Sequence, residues 1–414
     1  MQIVVFEDEH VATLAPVTLG RPAFAISCGS QRLIDVLLEL GPPVHAIVRP
    51  HLAAVVAADH PQLATVGDAA AISPGPVLWV NARLVPSIAA GQQLKKLIEA
   101  GKPGAILAKD SSDVLAATVT AQGQGGKSGP PALADQAIVG TALPVFNYPH
   151  DIVREHLATL ADHLAARIAT GQYREVADGV FAADGVRLGQ YVATDSSAGP
   201  IVLDEGVTVG PLSLLSGPVY LGQRCRVNEH AAIKHGVAIG HTTRIGGEVE
   251  ASVIEPYTNK QHHGFLGHSY LGSWINLGAG TSNSDLKNTY GQVNMEYAGR
   301  KVPSGSQFVG AIVGDYTKTA INTSIFTGKV IGACTMIYGF VTTNVPSFVN
   351  YARLFGQVSE APVDVLVATQ QRMFARRGIE QRPCDVQLLR DMHALTAAER
   401  GQMTPPPAIE PLSL

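Results

Sequence analysis

Charge, cysteine and aromatic side chains are all scarce in this chain, and each shortage closes off a class of protein. Only 15% of its 414 residues are charged, 30 Lys and Arg against 34 Asp and Glu, for a net charge of −4. It has no basic block, so nucleic acid is not an expected partner. The four cysteines (Cys28, Cys225, Cys334 and Cys384) are scattered without a CxxC pair. Their spacing argues against a disulfide framework or a structural zinc site and suits a reducing cytoplasm, the expected location. No apolar run reaches membrane-spanning length, and the opening MQIVVFEDEH turns acidic too soon for a signal peptide. What is plentiful is hydrophobic residues, at 46%, enough to give two or three domains real cores.

From residue 201 the chain repeats every six residues: IVLDEG, VTVGPL, SLLSGP, VYLGQR, CRVNEH, AAIKHG, VAIGHT, TRIGGE. The third position is Leu203, Val209, Leu215, Leu221, Val227, Ile233, Ile239 and Ile245. A strict six-residue period fits neither a helix face nor a simple hairpin. It predicts a parallel β-helix in which three hexads make one coil and each aliphatic residue stacks on the one eighteen residues away. Gly210, Gly222, Gly240 and Gly246 follow the aliphatic position, where a corner or a crowded wall excludes a Cβ. The register breaks at Ser252–His263 and again at Leu286–Gln307, and both breaks read as loops on a binding face.

Residues 1–148 read as an α/β domain. Strands are expected at Ile3–Phe6, His45–Val48, Val77–Val80 and Ala105–Ala108, and helices at Gln31–Leu40 and Gln92–Ala100. Gln122–Pro131 reads as a loop. A connecting helix over Asp151–Thr170 falls in a segment 149–180. The β-helix is expected over 181–350, and residues 351–414 supply two helices (Asp364–Arg376 and Val386–Arg400) and a Pro-rich tail, Thr404–Pro411. These helices are expected to cap the open end of the solenoid or to pack on a neighbour.

Chemistry concentrates between the two breaks, in His262-His263-Gly264-Phe265-Leu266-Gly267-His268-Ser269-Tyr270-Leu271-Gly272-Ser273-Trp274-Ile275-Asn276-Leu277-Gly278-Ala279-Gly280-Thr281. Histidine, with a pKa near neutrality, is a suitable base for an amine or hydroxyl. The Gly-Ala-Gly run opens backbone amides to a thin ligand. This segment resembles the motif H-x-x-Y-L-G-x-x-x-I-G-x-x-x-N-I-G-A-G-T of the GlmU family, bifunctional enzymes that acetylate an amino-sugar phosphate and then attach a nucleotide to it. The order of domains is similar too. The chain as a whole resembles the divergent GlmU-like putative sugar nucleotidyltransferases, which open with a motif like Leu14-Ala15-Pro16-Val17-Thr18-Leu19-Gly20-Arg21-Pro22. The resemblance implies a left-handed β-helix, acetyl-CoA as acyl donor, a sugar phosphate or nucleotide sugar as acceptor, and a homotrimer. It places the base at His262, with His268 as the alternative, and an acceptor-contacting side chain at Asn276. Gly278, Ala279 and Gly280 fall in the backbone stretch that meets the acyl group. The family's substrate Tyr is Phe265 here, and its phosphate-binding cations map near Ala232 and Glu250. Lys260, Lys287, Arg300 or Lys301 are candidate replacements, and Tyr270 is a further substrate contact.

For the first domain, nucleotide transfer would need a Gly- and Arg-rich loop after the first strand and an Asp to hold Mg²⁺. The chain has Phe6-Glu7-Asp8-Glu9-His10 and Asn81 there. A degenerate nucleotide site lined by Arg21, Arg32 and Asn81 is expected, with Mg²⁺ only if transfer survives. Three readings stay open: acyltransferase, retained uridylyltransferase, or non-catalytic sugar-nucleotide scaffold. His230-x4-His235-Gly236 also resembles the metal-binding pattern of γ-class carbonic anhydrases, but its third histidine has no counterpart beyond the misplaced His241, and no metal site is expected.

Overall fold

A computed structural model describes residues 1–67, 72, 75–109, 111, 113–119 and 137–401. The expected loop Gln122–Pro131 and tail Thr404–Pro411 lie outside the described residues.

The architecture is the expected one, an α/β domain followed by a parallel β-helix. The first domain is a six-stranded sheet of β1 (Gln2–Phe6), β2 (Val44–Ile47), β3 (Thr65–Val66), β4 (Val77–Asn81), β5 (Gly104–Leu107) and β6 (Val114–Val119), in the order β3-β2-β1-β4-β6-β5. Only β6 runs against its neighbours. Helices α1 (Leu33–Glu39), α2 (Ala53–Asp59) and α3 (Ile88–Ala100) accompany it. The side chain of Ser87 caps α3 by accepting from the Ala90 N–H, and Gly101 ends it in the left-handed region. The 21-residue helix α4 (Pro149–Ala169) then carries the chain to the solenoid. Among the described residues, no helix is long and apolar enough to cross a membrane.

In the solenoid, strands of two to four residues stack in parallel on three walls. The first wall runs through Ile201–Leu203, Val219–Leu221 and Val237–Ile239, the second through Thr208–Val209, Arg226–Val227 and Arg244–Ile245, and the third through Leu214–Ser216, Ala232–Ile233 and Glu248–Glu250. Ile201 pairs with Val219 and Leu203 with Leu221, eighteen residues apart. The inward aliphatic residues form one apolar column, from Val180 to Tyr351. Two separate devices make the corners. Gly210, Gly222, Gly240 and Gly246 sit where a Cβ would lie within 2.9 Å of the next coil, so crowding selects them. Two residues further on the backbone turns left-handed, and mostly with non-glycine side chains: Leu212, Arg224, His230, Thr242, Tyr257, Trp274 and Tyr316 all have φ between 56 and 65.

The first break in the hexads is not a loop. The coil continues through Ser252–His263 with a shorter turn: Ile239 pairs with Ile254, fifteen residues on. The second break is a real excursion, an antiparallel hairpin of Asn294–Tyr297 and Arg300–Pro303. It folds back on α4, where Tyr297 stacks on Tyr148 and His150 and its hydroxyl bonds the His150 ring at 2.9 Å.

The C-terminal helices α5 (Val363–Ala375) and α6 (Pro383–Leu395) do not simply cap the solenoid. Leu366, Leu388, Leu389 and Met392 belong to the same apolar cluster as Ile3, Phe24 and Leu37 of the first domain and Tyr270 and Ile312 of the coil. All four cysteines are free thiols, and burial pushes Cys28 and Cys225 up to about 12, so these two stay protonated.

Candidate functional site

His268 sits at a corner of the coil, just after the third-wall strand Phe265–Gly267. Its backbone is held at φ 45. Nδ1–H donates to Asp285 Oδ2 at 2.8 Å, leaving Nε2 as the ring's proton acceptor. The ring also stacks on Phe308, with centroids 5.1 Å apart. Asp285 and Phe308 stand at the two feet of the hairpin excursion, where Leu286 bridges Phe308 and the Val309 N–H donates to the Asp285 carbonyl at 2.9 Å. The excursion thus delivers both partners of His268. Gly267 makes room for them: a Cβ there would lie 2.4 Å from both Asp285 Oδ2 and the Phe265 ring. The buried Asn283 side chain braces Gly267, accepting from its N–H at 3.0 Å and donating to its carbonyl at 3.1 Å. A histidine oriented by a carboxylate on one nitrogen and open on the other is built for proton transfer.

His262 and His263 are exposed at the corner between the second and third walls. Phe265 is half-buried on the third wall beside Gly267. Asn276 is exposed on the second wall, bridging Asn259 and Lys318 of the neighbouring coils. Gly278 follows it where a Cβ would strike the Ala320 backbone at 2.5 Å, Ala279 is half-exposed, and Gly280 turns the corner at φ 76. Lys287 lies at the hairpin foot, donating to the Gln292 carbonyl at 2.5 Å.

Two expected substrate contacts face away from any ligand. Lys260 fills an inward position, paired in register with Ile245. It is buried, and its ammonium donates to the carbonyls of Gly246, His262 and Gly264 at 2.8, 3.2 and 2.7 Å. Burial lowers its pKa to about 8. It is a strut inside the coil, and the shortened turn is what shifted it inward. Tyr270 is fully buried, and its hydroxyl donates to Glu255 Oε1 at 2.8 Å. His230 is exposed, His235 lies 3.3 Å from Glu250, and no metal-binding group of three His, Cys, Asp or Glu occurs among the described residues.

In a sheet of this order a ligand is expected beyond the carboxyl ends of β1 and β4. Those ends are already filled. Glu7 pairs with Arg49 at 3.0 Å and accepts from the Ala23 N–H. Asp8 takes guanidinium contacts from the fully buried Arg83 at 2.8, 3.1 and 2.7 Å, and a further hydrogen bond from Asn81 at 2.7 Å. Arg83 and Asn81 hold the Asp8 carboxyl below its ordinary pKa against the opposing effect of burial, which is the largest single influence. With Asp8 saturated and Asn81 neutral, the residues present do not fit Mg²⁺. Arg21 is no free cation either. It pairs with Asp315 and, at 3.2 Å, with Glu255, both nearly fully buried. Glu255 also accepts from the Ser27 N–H and hydroxyl at 2.9 and 2.8 Å. Arg32 pairs with Asp35 at 2.7 Å. Arg21 and Arg32 do line a cavity of about 670 Å³ between the first domain, the coil and α6, together with His60, His241 and Arg382. Asn81 does not line it.

Sequence reasoning missed Asp285, Phe308 and Asn283. The only signal was that the second break in the hexads begins one residue after Asp285. It also missed an aromatic column at one corner: His241 meets Tyr257 edge-on, and Tyr257, Trp274 and Phe374 of α5 stack at 4.3 and 4.4 Å.

The sequence model of the sugar nucleotidyl transferase family matches residues 3–169. The chain is 33% identical over 97 residues to a bifunctional sugar-1-phosphate nucleotidylyltransferase/acetyltransferase of Sulfurisphaera tokodaii, covering 23% of this chain and 24% of that one. It is 31% identical over 141 residues to the bifunctional protein GlmU of Methanococcus vannielii, covering 34% of each. The matches therefore span a quarter to a third of these relatives. A Francisella novicida UDP-N-acetylglucosamine acyltransferase structure aligns at 16% identity and a TM-score of 0.28, over 54% of this chain and 76% of that one. Residues 3–169 thus match the sugar nucleotidyl transferase family and are joined to a hexapeptide-repeat β-helix, in a chain similar to the bifunctional GlmU proteins.

Proposed function

We propose that the protein is an acyl-CoA-dependent acyltransferase acting on an amino-sugar phosphate or a nucleotide sugar, with His268 rather than His262 as the base. The single observation that carries this is the His268–Asp285 pair, which joins a histidine of the motif that resembles the GlmU acetyltransferase segment to a carboxylate at the hairpin's foot. Nε2 removes a proton from the acceptor amine or hydroxyl as it attacks the thioester carbonyl. The new C–N or C–O bond forms, the C–S bond breaks, and the imidazolium returns the proton to the departing CoA sulfur. Asp285 stabilises the imidazolium while it exists. Phe265 is the acceptor's apolar neighbour, and Asn276 with Gly278, Ala279 and Gly280 is the acyl donor's surface.

His268 and Asn276 lie on different walls of one coil. A ligand touching both is best served between two copies, which supports a homotrimer. The reading divides the chain into 1–148, 149–180, 181–350 and 351–414. The first of these recognises the sugar nucleotide without transferring it, because the strand ends that would hold a triphosphate and its metal are occupied by Arg49 and Arg83. A CoA-release assay across amino sugars, sugar 1-phosphates and nucleotide sugars tests the proposal. Absence of release with every acceptor overturns it.

A further inference from the structure

The second wall carries a column of arginines that the acyltransferase reading does not use. Arg187, Thr208, Arg226, Arg244, Asn259, Asn276 and Lys318 follow one another in register at one outward position. Arg226 stands directly against Arg244. Adjacent strands are about 4.8 Å apart, and like charges directly opposite each other destabilise a sheet. Among the described residues, Arg226, Arg244, Arg376 and Arg377 make none of the ion pairs that hold Arg21, Arg49, Arg83, Arg382 and Arg400. Arg377, just beyond α5, is aimed at the same place: its guanidinium donates to Asn259 Oδ1 at 2.6 Å. Its proton is held less tightly than usual, first because of burial and then because of the positive charges of Arg244 and Arg376. Two residues on from Thr208, Arg226 and Arg244 stand Gly210, Asn228 and Gly246, none of them charged.

We propose that Arg226, Arg244 and Arg377 form a binding site for the diphosphate of a nucleotide-type ligand. Guanidinium forks suit phosphate oxygens, and a bound dianion would convert the repulsion into attraction. From Arg244 the column reaches Asn276 in two strand spacings, about 10 Å. A ligand anchored by its diphosphate can therefore extend to the proposed acyl surface. Two sources share this chemistry, the ADP portion of CoA and the diphosphate of a nucleotide sugar. Their choice as ligands rests on the acyltransferase reading; the anion site does not.

The test is equilibrium binding to the full chain of inorganic pyrophosphate, UDP and CoA, by calorimetry and by the fluorescence of Trp274, which stacks on Phe374 close to Arg377. We expect at least one of the three to bind, more weakly as salt rises, and Arg226→Ala and Arg244→Ala each to weaken it about tenfold. Arg244→Lys should retain part of the affinity, and Arg390→Ala, on the outer face of α6, should change nothing. Tighter binding of CoA than of UDP identifies the acyl donor as the source, and the reverse identifies the nucleotide sugar. Absence of binding by all three, indifference to both alanine variants, or an equal loss in Arg390→Ala overturns the site. Binding is read without turnover, so an intact site with no CoA release would overturn the acyltransferase reading alone.

Discussion

Gly29 has φ 62, and a Cβ there would lie 2.0 Å from Nδ1 of His163. Its own N–H donates to Nδ1 of His156 at 3.0 Å. Gly29→Ala is therefore expected to cost about 2 kcal/mol or more, from left-handed strain and overpacking together, measured as a lower denaturant midpoint. At the proposed site, His268→Ala should reduce turnover by roughly 10²–10⁴. Asp285→Asn should reduce it less, with CoA affinity near wild type in both, and His262→Ala should leave the rate close to unchanged. Equal losses at His262 and His268 would speak against the assignment. The candidate histidines were legible because the motif is contiguous. Asp285 was not, because its role depends on an excursion whose return point no local pattern fixes. Lys260 misled for a related reason: a lysine in a six-residue register reads as surface until the turn before it shortens and points it inward.

Among the elements, α4 is the one most sensitive to acid. His156 donates to the Gly236 carbonyl of the coil at 2.9 Å while accepting from Gly29, and His163 accepts from the Ser30 N–H at 3.3 Å. Burial pushes both histidines down to about 4. In the unfolded chain they titrate near 6.5, so between these values the unfolded state binds more protons. The stability from their neutral forms is complete above about 6.5 and is lost as pH falls towards 4, by up to about 3 kcal/mol each. Thermal melts from pH 7 to 4 should show this slope, and His156→Asn should flatten it. The helix itself was readable from its apolar spacing, and four of the six strands from their hydrophobic runs. The antiparallel β6, VLAATV, was not seen: half of it is alanine or threonine, and β4 and β5 supply its partners from either side.

On the scale of the whole molecule, the first domain is bolted to the coil. Arg21→Ala would leave Glu255 and Asp315 buried without their cation, at a cost of about 3–5 kcal/mol, read by calorimetry. The expected assembly is a trimer, and a monomeric mass by light scattering at micromolar concentration would count against the shared-site proposal. Two-domain order was plain in the sequence, since a change from mixed periodicity to hexads marks it. How the domains meet was not, because Arg21 and its two carboxylates lie more than two hundred residues apart. That meeting makes the chain a poor subject for modular exchange. The apolar cluster shared by Ile3, Phe24, Tyr270, Ile312 and Leu388 has no seam along which a recombination point could fall. A chimera that takes residues 1–148 from one homologue and the remainder from another would have to inherit both sides of the contact, or it would expose two greasy faces and precipitate.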